Sequence, residues 1–470
     1  MNKSQILKKL SPFIEAGEDY TQHFSQDFLL TELTSNLQTA TKNHIVFYKI
    51  LPEEKALRNF HERLQKADPG LLVLNAHPGD IKQPFLVIKE VDFIKAQKIL
   101  LDEFYPLPVH LKLVGITGTN GKTTSVNLAQ QISEQMKHPA ISFGTLGICK
   151  NGKIIEDLGG TTPSYIELRR LIHHYGKTES AIFFEVSSHA LAQDRLHDLR
   201  LDACAWTSFS QDHLDFHKNM DDYFEAKTLI FKKYSKTNAP FFLPIKESDL
   251  IKKIDETKYP YQLCPSLEEE EHTALPPFFK ADFNQSNLEI ALALNAFIWG
   301  KKPQINLDEI ILPQGRFTTF ELGQKLVVVD YAHTPDALEN ICKAIHRSFP
   351  GRELSVVFGC GGNRDKTKRQ LMGKIAEAQA NKLYITSDNP RDEIPEEIIG
   401  QILQGLKNPN CFHHPDRTLA IETALTCAKS HGIILIAGKG HEDYQEIKGI
   451  KHPFSDFTVV KNFMQKEKTL

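Results

Sequence analysis

The chain has 470 residues, 41% of them hydrophobic and 24% charged, with a net charge of −3. That length exceeds one hydrophobic core and predicts about three domains. The balanced charge points away from nucleic acid and membrane surfaces, no run of roughly 18 apolar residues predicts a membrane span, and no apolar signal core follows Met1-Asn-Lys-Ser. Seven cysteines without a CxxC pair predict a reducing cytoplasm rather than a disulfide framework or a zinc site.

Residues 1–108 hold short apolar runs, Ile45–Ile50, Leu71–Leu74 and Pro84–Ile88, with helical segments between them. This pattern predicts a small α/β domain, closed by a stiff hinge at Pro106-Leu-Pro108. Residues 109–312 alternate strand and helix patterns, with a Pro-rich, charge-rich surface excursion over 245–280. Residues 313–470 alternate again. Strands are predicted at Lys325–Val329, Leu354–Phe358, Lys382–Thr386 and Ile433–Ile436, and helices at Pro335–Phe349 and Lys368–Gln379. The expected class is α/β, with open, mostly parallel sheets covered by helices.

Within the middle segment stands Val114-Gly-Ile-Thr-Gly-Thr-Asn-Gly-Lys-Thr-Thr124. It has the frame of a phosphate-binding loop, between a strand over Leu111–Ile116 and a helix over Ser125–Met136. Glycines let backbone N–H groups turn towards phosphates, and a helix N-terminus adds partial positive charge. Lys122 is placed to reach the outer phosphates, and Thr123 offers a hydroxyl to Mg²⁺. A nucleoside triphosphate is therefore the expected ligand.

Six predicted strands end in polar clusters, beginning at Glu185, Ser210, Asp330, Gly359, Ser387 and Gly438. Ligands of open α/β sheets bind at such carboxyl ends, so a cleft between the second and third segments is expected to hold the site. Glu185 and His213 read either as metal ligands or as local capping and packing groups. Asp212 and Asp215 flank His213, and either can orient it. Lys227 lies on a helix predicted over Asp221–Tyr234, where a lone lysine reads as solvated surface. Asp388-Asn-Pro-Arg391 also has two readings. It is an ordinary Asn-Pro turn, or a receptor for a zwitterion in which Arg391 pairs with a carboxylate while Asp388 and Asn389 take an ammonium.

Gly118-Thr-Asn-Gly-Lys-Thr-Thr124, Glu185-Val-Ser-Ser-His189, Asp212-His-Leu-Asp215, Tyr223-Phe-Glu-Ala-Lys227, Asp330-Tyr-Ala-His-Thr-Pro335, Gly359–Arg369 and Ala437-Gly-Lys-Gly-His-Glu442 together resemble the Mur ligases, most narrowly the MurE branch. The resemblance spans about residues 108–460 and is collinear. It implies a three-domain architecture: a small N-terminal α/β domain (1–108), a central P-loop domain with a mostly parallel sheet (109–312) and a C-terminal Rossmann-like domain (313–470). It implies a cytoplasmic, monomeric enzyme that uses ATP and Mg²⁺. Such an enzyme phosphorylates the D-glutamyl carboxylate of UDP-MurNAc-L-Ala-D-Glu and couples the acyl phosphate to a diamino acid. By this resemblance Gly118, Thr119, Asn120, Gly121, Lys122, Thr123 and Thr124 hold the phosphates, and Asn287, Arg316 and Asp330 the adenosine. Thr123, Glu185, His213 and a carbamylated Lys227 form the metal site, with Lys122, Glu185, His213 and Lys227 catalytic. Thr161, Thr162, Ser187, Gln193 and Arg195 match precursor-binding positions, and Arg364, Asp388, Asn389, Pro390, Arg391, Gly438 and Glu442 match the diamino-acid pocket.

The Asp-Asn-Pro-Arg form is that of relatives adding meso-diaminopimelate, whose far carboxylate Arg391 would hold; lysine has only an ammonium there. The first segment lacks the family's Asp-Ser-Arg uridine motif and carries Thr34-Ser-Asn-Leu-Gln38 in the corresponding region, so no uridine contact is assigned. A lysine-adding enzyme, a folylpolyglutamate synthetase-like ligase and a non-catalytic relative are the alternatives. The Asp388–Arg391 turn and the retained Lys122, Thr123, Glu185, His213 and Lys227 disfavour the last two.

Overall fold

A computed structural model describes residues 1–14, 29–268, 275–408 and 411–469. Residues 269–274 of the expected surface excursion lie outside this range; the rest of it carries a helix, Ser248–Thr257, and a short strand. Two compact units are present. One comprises residues 1–111, 162–182 and 194–200, and the other residues 112–161, 183–193 and 201–470.

The first unit is built on a four-stranded parallel sheet in simple sequence order: β1 (Glu32–Thr34), β2 (His44–Tyr48), β3 (Leu71–Leu74) and β4 (Phe85–Val87). Leu71–Leu74 is buried at every position, as befits a central parallel strand covered on both faces. Arg169 is buried here among Asp102, Asp198 and the Tyr105 carbonyl, each at 2.8–3.1 Å.

The second unit carries two larger sheets. The first is ordered β12-β11-β10-β5-β9-β6-β7-β8, with β5 Lys112–Thr117, β6 Ala140–Gly144, β7 Gly147–Lys150, β8 Lys153–Glu156, β9 Ala181–Glu185, β10 Ala203–Trp206, β11 Phe241–Leu243 and β12 Gln262–Leu263. Strands β5, β10, β11 and β12 run parallel, and β6–β8 form an antiparallel extension at one edge. The helix after β5 spans Lys122–Gln135, three residues earlier than its apolar pattern suggests, because Lys122, Thr123 and Thr124 occupy its first turn. A long buried helix, Asp282–Trp299, lies along it. Polar side chains tie the two together: Asn295 donates to the Ala129 carbonyl at 2.9 Å and Trp299 to Ser133 Oγ at 3.1 Å.

The second sheet is ordered β13-β14-β18-β15-β16-β17, with β13 Thr318–Leu322, β14 Lys325–Asp330, β15 Leu354–Phe358, β16 Lys382–Thr386, β17 Phe412–His414 and β18 Ile433–Ala437. All pairs are parallel except β13 with β14. Side chains alternate between two cores. Val328 joins Leu338, Ile341 and Met372 on one face, while Val327 and Val329 join Ile421, Leu425 and Phe457 on the other. A separate hairpin, β19 (Tyr444–Ile447) and β20 (Ile450–Pro453), follows β18.

One ion pair fastens the last two helices to the strand ends. Arg417 and Asp456 are fully buried and bidentate at 2.8 Å, and Arg417 also donates to the carbonyls of Ser387 and Ala437. Removing one partner strands the other charge in the interior. Asp456→Ala is expected to lower unfolding stability by about 3–5 kcal/mol, read from urea denaturation; a loss below about 1 kcal/mol would contradict the pair's role.

Candidate active site

The phosphate loop is set by two glycines in backbone conformations closed to other residues. Gly121 has φ +87° and caps the helix; a Cβ there would meet Asn287 Oδ1 at 2.3 Å. Gly118 lies against Thr207, where a Cβ would approach Oγ1 to 1.8 Å. Neighbouring chain fixes the rest of the loop. Thr119 N–H donates to the Ser208 carbonyl, Asn120 N–H to Ser208 Oγ, and Thr207 Oγ1 to the Asn120 carbonyl. Thr124 is buried in the helix's first turn.

Lys122 and Lys227 converge on one atom. Each Nζ donates to the Gly118 carbonyl at 2.8 Å, and Lys122 donates also to the Thr119 carbonyl at 2.9 Å. Lys227 is only 1% exposed, and its amine sits 4.7 Å from the Tyr223 ring centroid. Its helix, Met220–Lys232, turns this face inward, which overturns the surface reading of a lone helical lysine. Burial, reinforced by the charge of Lys122, holds the Lys227 amine well below its ordinary range. Burial also lowers Lys122, against the opposing pull of Glu185 and Asp212.

The carboxylate that acts on both lysines is Asp212, 5% exposed. Burial works to raise its carboxyl, but Lys368 (3.4 Å) and then His333 (3.8 Å) outweigh burial and hold it well below the carboxylate range. His213 takes a left-handed backbone, φ +57°, and burial pushes its imidazole down to about 3, so the ring is neutral. Glu185 ends β9, accepting from Thr145 N–H at 2.8 Å and from Thr145 Oγ1 at 3.2 Å. Among the described residues no group of three His, Cys, Asp or Glu side chains is arranged to hold a metal by itself. Mg²⁺ prefers oxygen and is commonly held by one or two carboxylates plus substrate phosphates. Glu185, the Thr123 hydroxyl and the neutral His213 are donors of that chemistry, with Thr123 Oγ1 accepting from Arg316 Nη2 at 3.1 Å.

The adenosine candidates are close by. Arg316 Nη2 donates to Thr123 Oγ1 at 3.1 Å, and its guanidinium stacks on Tyr331, 4.4 Å from the ring centroid. Asn287 Oδ1 accepts from Ser125 Oγ at 3.1 Å. Asp330 has both oxygens taken by backbone N–H groups, of Phe317 and Ala332 at 2.8 Å, so it shapes the turn after β14. Of the precursor candidates, Thr162 and Arg195 lie in the first unit, joined by a 2.6 Å bond from Arg195 Nη1 to the Thr162 carbonyl. Thr161, Ser187 and Gln193 lie in the second; Thr161 meets Thr145 Oγ1 at 3.1 Å and Ser187 caps the helix Ser188–Ala192.

Strands β14, β18, β15 and β16 are in register at their carboxyl ends, so the following loops emerge side by side. Asp388 follows β16 and faces Gly438 of the loop after β18, where a Cβ would lie 2.7 Å from Asp388 Oδ2. Asn389 is more occupied than a ligand-binding amide would be. Its Oδ1 accepts from Lys439 Nζ at 3.0 Å and Glu446 N–H at 2.9 Å, and its Nδ2 donates to Glu442 at 2.8 Å. Lys439, fully buried, also pairs with Glu442 at 2.9 Å. Pro390 closes the turn against Gly362, leaving no room for a Cβ on that glycine. Arg391 follows with φ +51° and an 18% exposed side chain. Arg364 reaches Asp215 at 3.6 Å, Lys368 reaches Asp212, and Gln211 donates to Asp365 at 2.9 Å and Thr367 at 2.7 Å. These bonds join the loops of the two sheets of this unit. The sequence reading did not single out Lys368, Lys439 or Glu446, whose roles appear only once the strands are ordered.

Glu393 fastens the loop that carries Arg364. It accepts from Arg369 at 2.9 and 3.0 Å and from Asn363 N–H at 2.6 Å, with Lys366 at 3.3 Å. The Arg369 bonds, foremost, hold its carboxyl down to about 2 against an ordinary 4.5. A depressed carboxyl stabilises the fold above its unfolded value and loses that contribution as pH falls through the folded one. Glu393→Gln should therefore be less stable than the parent at neutral pH, the gap closing from pH 4.5 towards about 2. Urea midpoints across that window check this, and a gap constant with pH would refute it.

The family models for the Mur ligase middle domain and the Mur ligase, glutamate ligase domain match residues 116–296 and 315–440. The UDP-N-acetylmuramoyl-L-alanyl-D-glutamate–2,6-diaminopimelate ligase of Aquifex aeolicus is 35% identical over 462 residues, covering 92% of this chain and 93% of that protein. A solved structure of a ligase of the same name is 26% identical, with a TM-score of 0.56, covering 100% of this chain and 99% of the other. A MurF ligase of Thermotoga maritima shares the fold at 13% identity, with a TM-score of 0.60 over 94% of this chain and 99% of the other. The described residues include no helix long and apolar enough to cross a membrane. With both sheets, their loops and these matches in agreement, the chain belongs to the Mur ligase family.

Proposed function

We propose that this chain is an ATP-dependent amide ligase that joins meso-diaminopimelate to the D-glutamyl carboxylate of UDP-MurNAc-L-Ala-D-Glu. The observation that carries this reading is the pairing, in one unit, of a phosphate loop with the Asp388–Arg391 turn on the facing loops. The relative from Aquifex aeolicus is named for the same substrates.

A carboxylate is a poor acyl donor. Transfer of the γ-phosphoryl group of ATP to the glutamyl carboxylate gives an acyl phosphate and ADP. The acceptor amine attacks the acyl carbon, and the tetrahedral adduct expels phosphate to leave the amide. Each partner carries negative charge, so the chain must supply cations and N–H donors where they meet. Lys122 and those N–H groups of Gly118–Thr124 that Ser208 does not already take serve the phosphates, while Asn287 and Arg316 serve the adenosine end, with Asp330 setting the turn beside them. Mg²⁺ held by Thr123, Glu185 and His213 would offset phosphate charge during transfer. Lys227 serves best as a carbamate. Its deprotonated amine adds CO₂ and releases a proton, turning a buried amine into an anionic oxygen donor. Thr161, Ser187 and Gln193 contribute to holding the precursor, and Arg364, Asp388, Gly438 and Glu442 the acceptor. Residues 109–312 and 313–470 act in this reading as two domains, with 1–108 as a third.

Arg391 decides the acceptor. A guanidinium pairs with the carboxylate at the far end of meso-diaminopimelate, whereas lysine brings only an ammonium, which it repels. Phosphate release from ATP with the UDP-dipeptide should require meso-diaminopimelate and be far weaker with L-lysine. Good activity with lysine alone would overturn the acceptor assignment, and no release with either would overturn the ligase. Lys227→Ala should lose activity by about 10²-fold or more, with partial restoration by bicarbonate or short carboxylic acids. Parental turnover in that variant would remove Lys227 from the site.

A further inference from the structure

The guanidinium of Arg391 is held from two sides. Its Nε donates to Glu446 Oε2 at 3.0 Å and its Nη1 to the Gly362 carbonyl at 2.8 Å. Nη2 carries no hydrogen bond among the described residues, so its two protons and the second proton of Nη1 remain for a ligand. Glu446 lies on β19, outside the strand-end loops, and no motif of the sequence marks it.

The hairpin also sets the backbone beneath that side chain. Arg391 N–H donates to the Glu446 carbonyl at 3.0 Å and Lys448 N–H to the Arg391 carbonyl at 2.8 Å, forming a parallel bridge between Arg391 and Ile447. Two further bonds lock the preceding turn. Gln445 Nε2 donates to the Asp388 carbonyl at 2.6 Å, and Glu446 N–H to Asn389 Oδ1 at 2.9 Å. These bonds keep Arg391 at φ +51°, a left-handed conformation that long side chains seldom adopt without surrounding support.

We propose that Glu446 is a positioning residue for acceptor selection: it pins Nε of Arg391 and so reserves the Nη2 edge of the guanidinium for the acceptor's far carboxylate. The inference rests on the ligase reading above. Glu446 acts in two ways at once. It removes the rotational freedom of a long side chain before the ligand arrives, and it supplies a counter-charge that makes the bare pocket nearly neutral. A neutral pocket with one open guanidinium edge suits a zwitterionic end group better than a lone ammonium or a lone carboxylate.

The test compares the full chain with Glu446→Ala and Glu446→Gln, measuring phosphate release and separate KM and kcat values for meso-diaminopimelate, ATP and the UDP-dipeptide. Glu446→Ala should raise the KM for meso-diaminopimelate about tenfold or more while leaving the other two KM values within about twofold. Glu446→Gln, which keeps an oxygen for the Nε proton, should recover part of that loss and carries the test if the alanine variant does not fold. In an Arg391→Lys background, Glu446→Ala should add no further rise. An unchanged KM for meso-diaminopimelate in both variants, or equal rises for all three substrates, would overturn the positioning role alone. A parent enzyme whose phosphate release ignores meso-diaminopimelate would overturn the ligase reading, and this inference with it.

Discussion

Two amines share one carbonyl oxygen, and much of the site follows from that crowding. Lys122 and Lys227 both donate to the Gly118 carbonyl, Lys227 fully enclosed and Lys122 half-buried. Two amines so placed disfavour each other's charged form, and burial acts in the same direction, so both are held below the ordinary lysine range and Lys227 further than Lys122. Asp212 opposes this shift at both lysines, although its carboxylate also pairs with Lys368 at 3.4 Å.

The surroundings of the Asp388–Arg391 turn are arranged on the opposite plan. Arg391 stands against Glu446, Lys439 against Glu442, and Arg417 against Asp456, each cation with its own carboxylate within 3.0 Å. Balanced pairs attract no ion of either sign from a distance, and discrimination comes from geometry instead. The two halves therefore divide the work between field and shape. The phosphate loop and the Asp388–Arg391 turn follow the same architectural rule, each leaving the carboxyl end of a parallel strand, while Lys227, Arg417 and Asp456 come from helices and Glu446 from the hairpin.

Much of this was legible from the chain. The phosphate loop reads clearly because its chemistry is local: glycines for the turn, then Lys122 and Thr123 on the first helical turn. The strands β14, β15, β16 and β18 read well because each is a short apolar run closed by a polar cluster, buried on both faces. Lys227 did not read from its surroundings, because its burial depends on a carbonyl 109 residues away along the chain. Asn389 read as a ligand group, yet its amide is largely consumed by Lys439, Glu442 and Glu446. Hydrogen-bond partners brought together by strand order leave no trace in local pattern. Lys439 and Glu446 were invisible for the same reason.

The position of β18 has a consequence for how the molecule comes into being. This strand is the last of the second sheet in the chain, yet it sits between β14 and β15, pairing with both. The two strands that flank it are separated by an empty lane until residues 433–437 are synthesised. Contacts this distant in sequence form late and slowly. The acceptor turn waits longer still, since the hairpin over 444–453 that braces it follows β18. The geometry of the Asp388–Arg391 turn therefore depends on a segment 57 residues further along the chain, and a change in that hairpin is felt at the turn before it is felt anywhere in the second sheet's core.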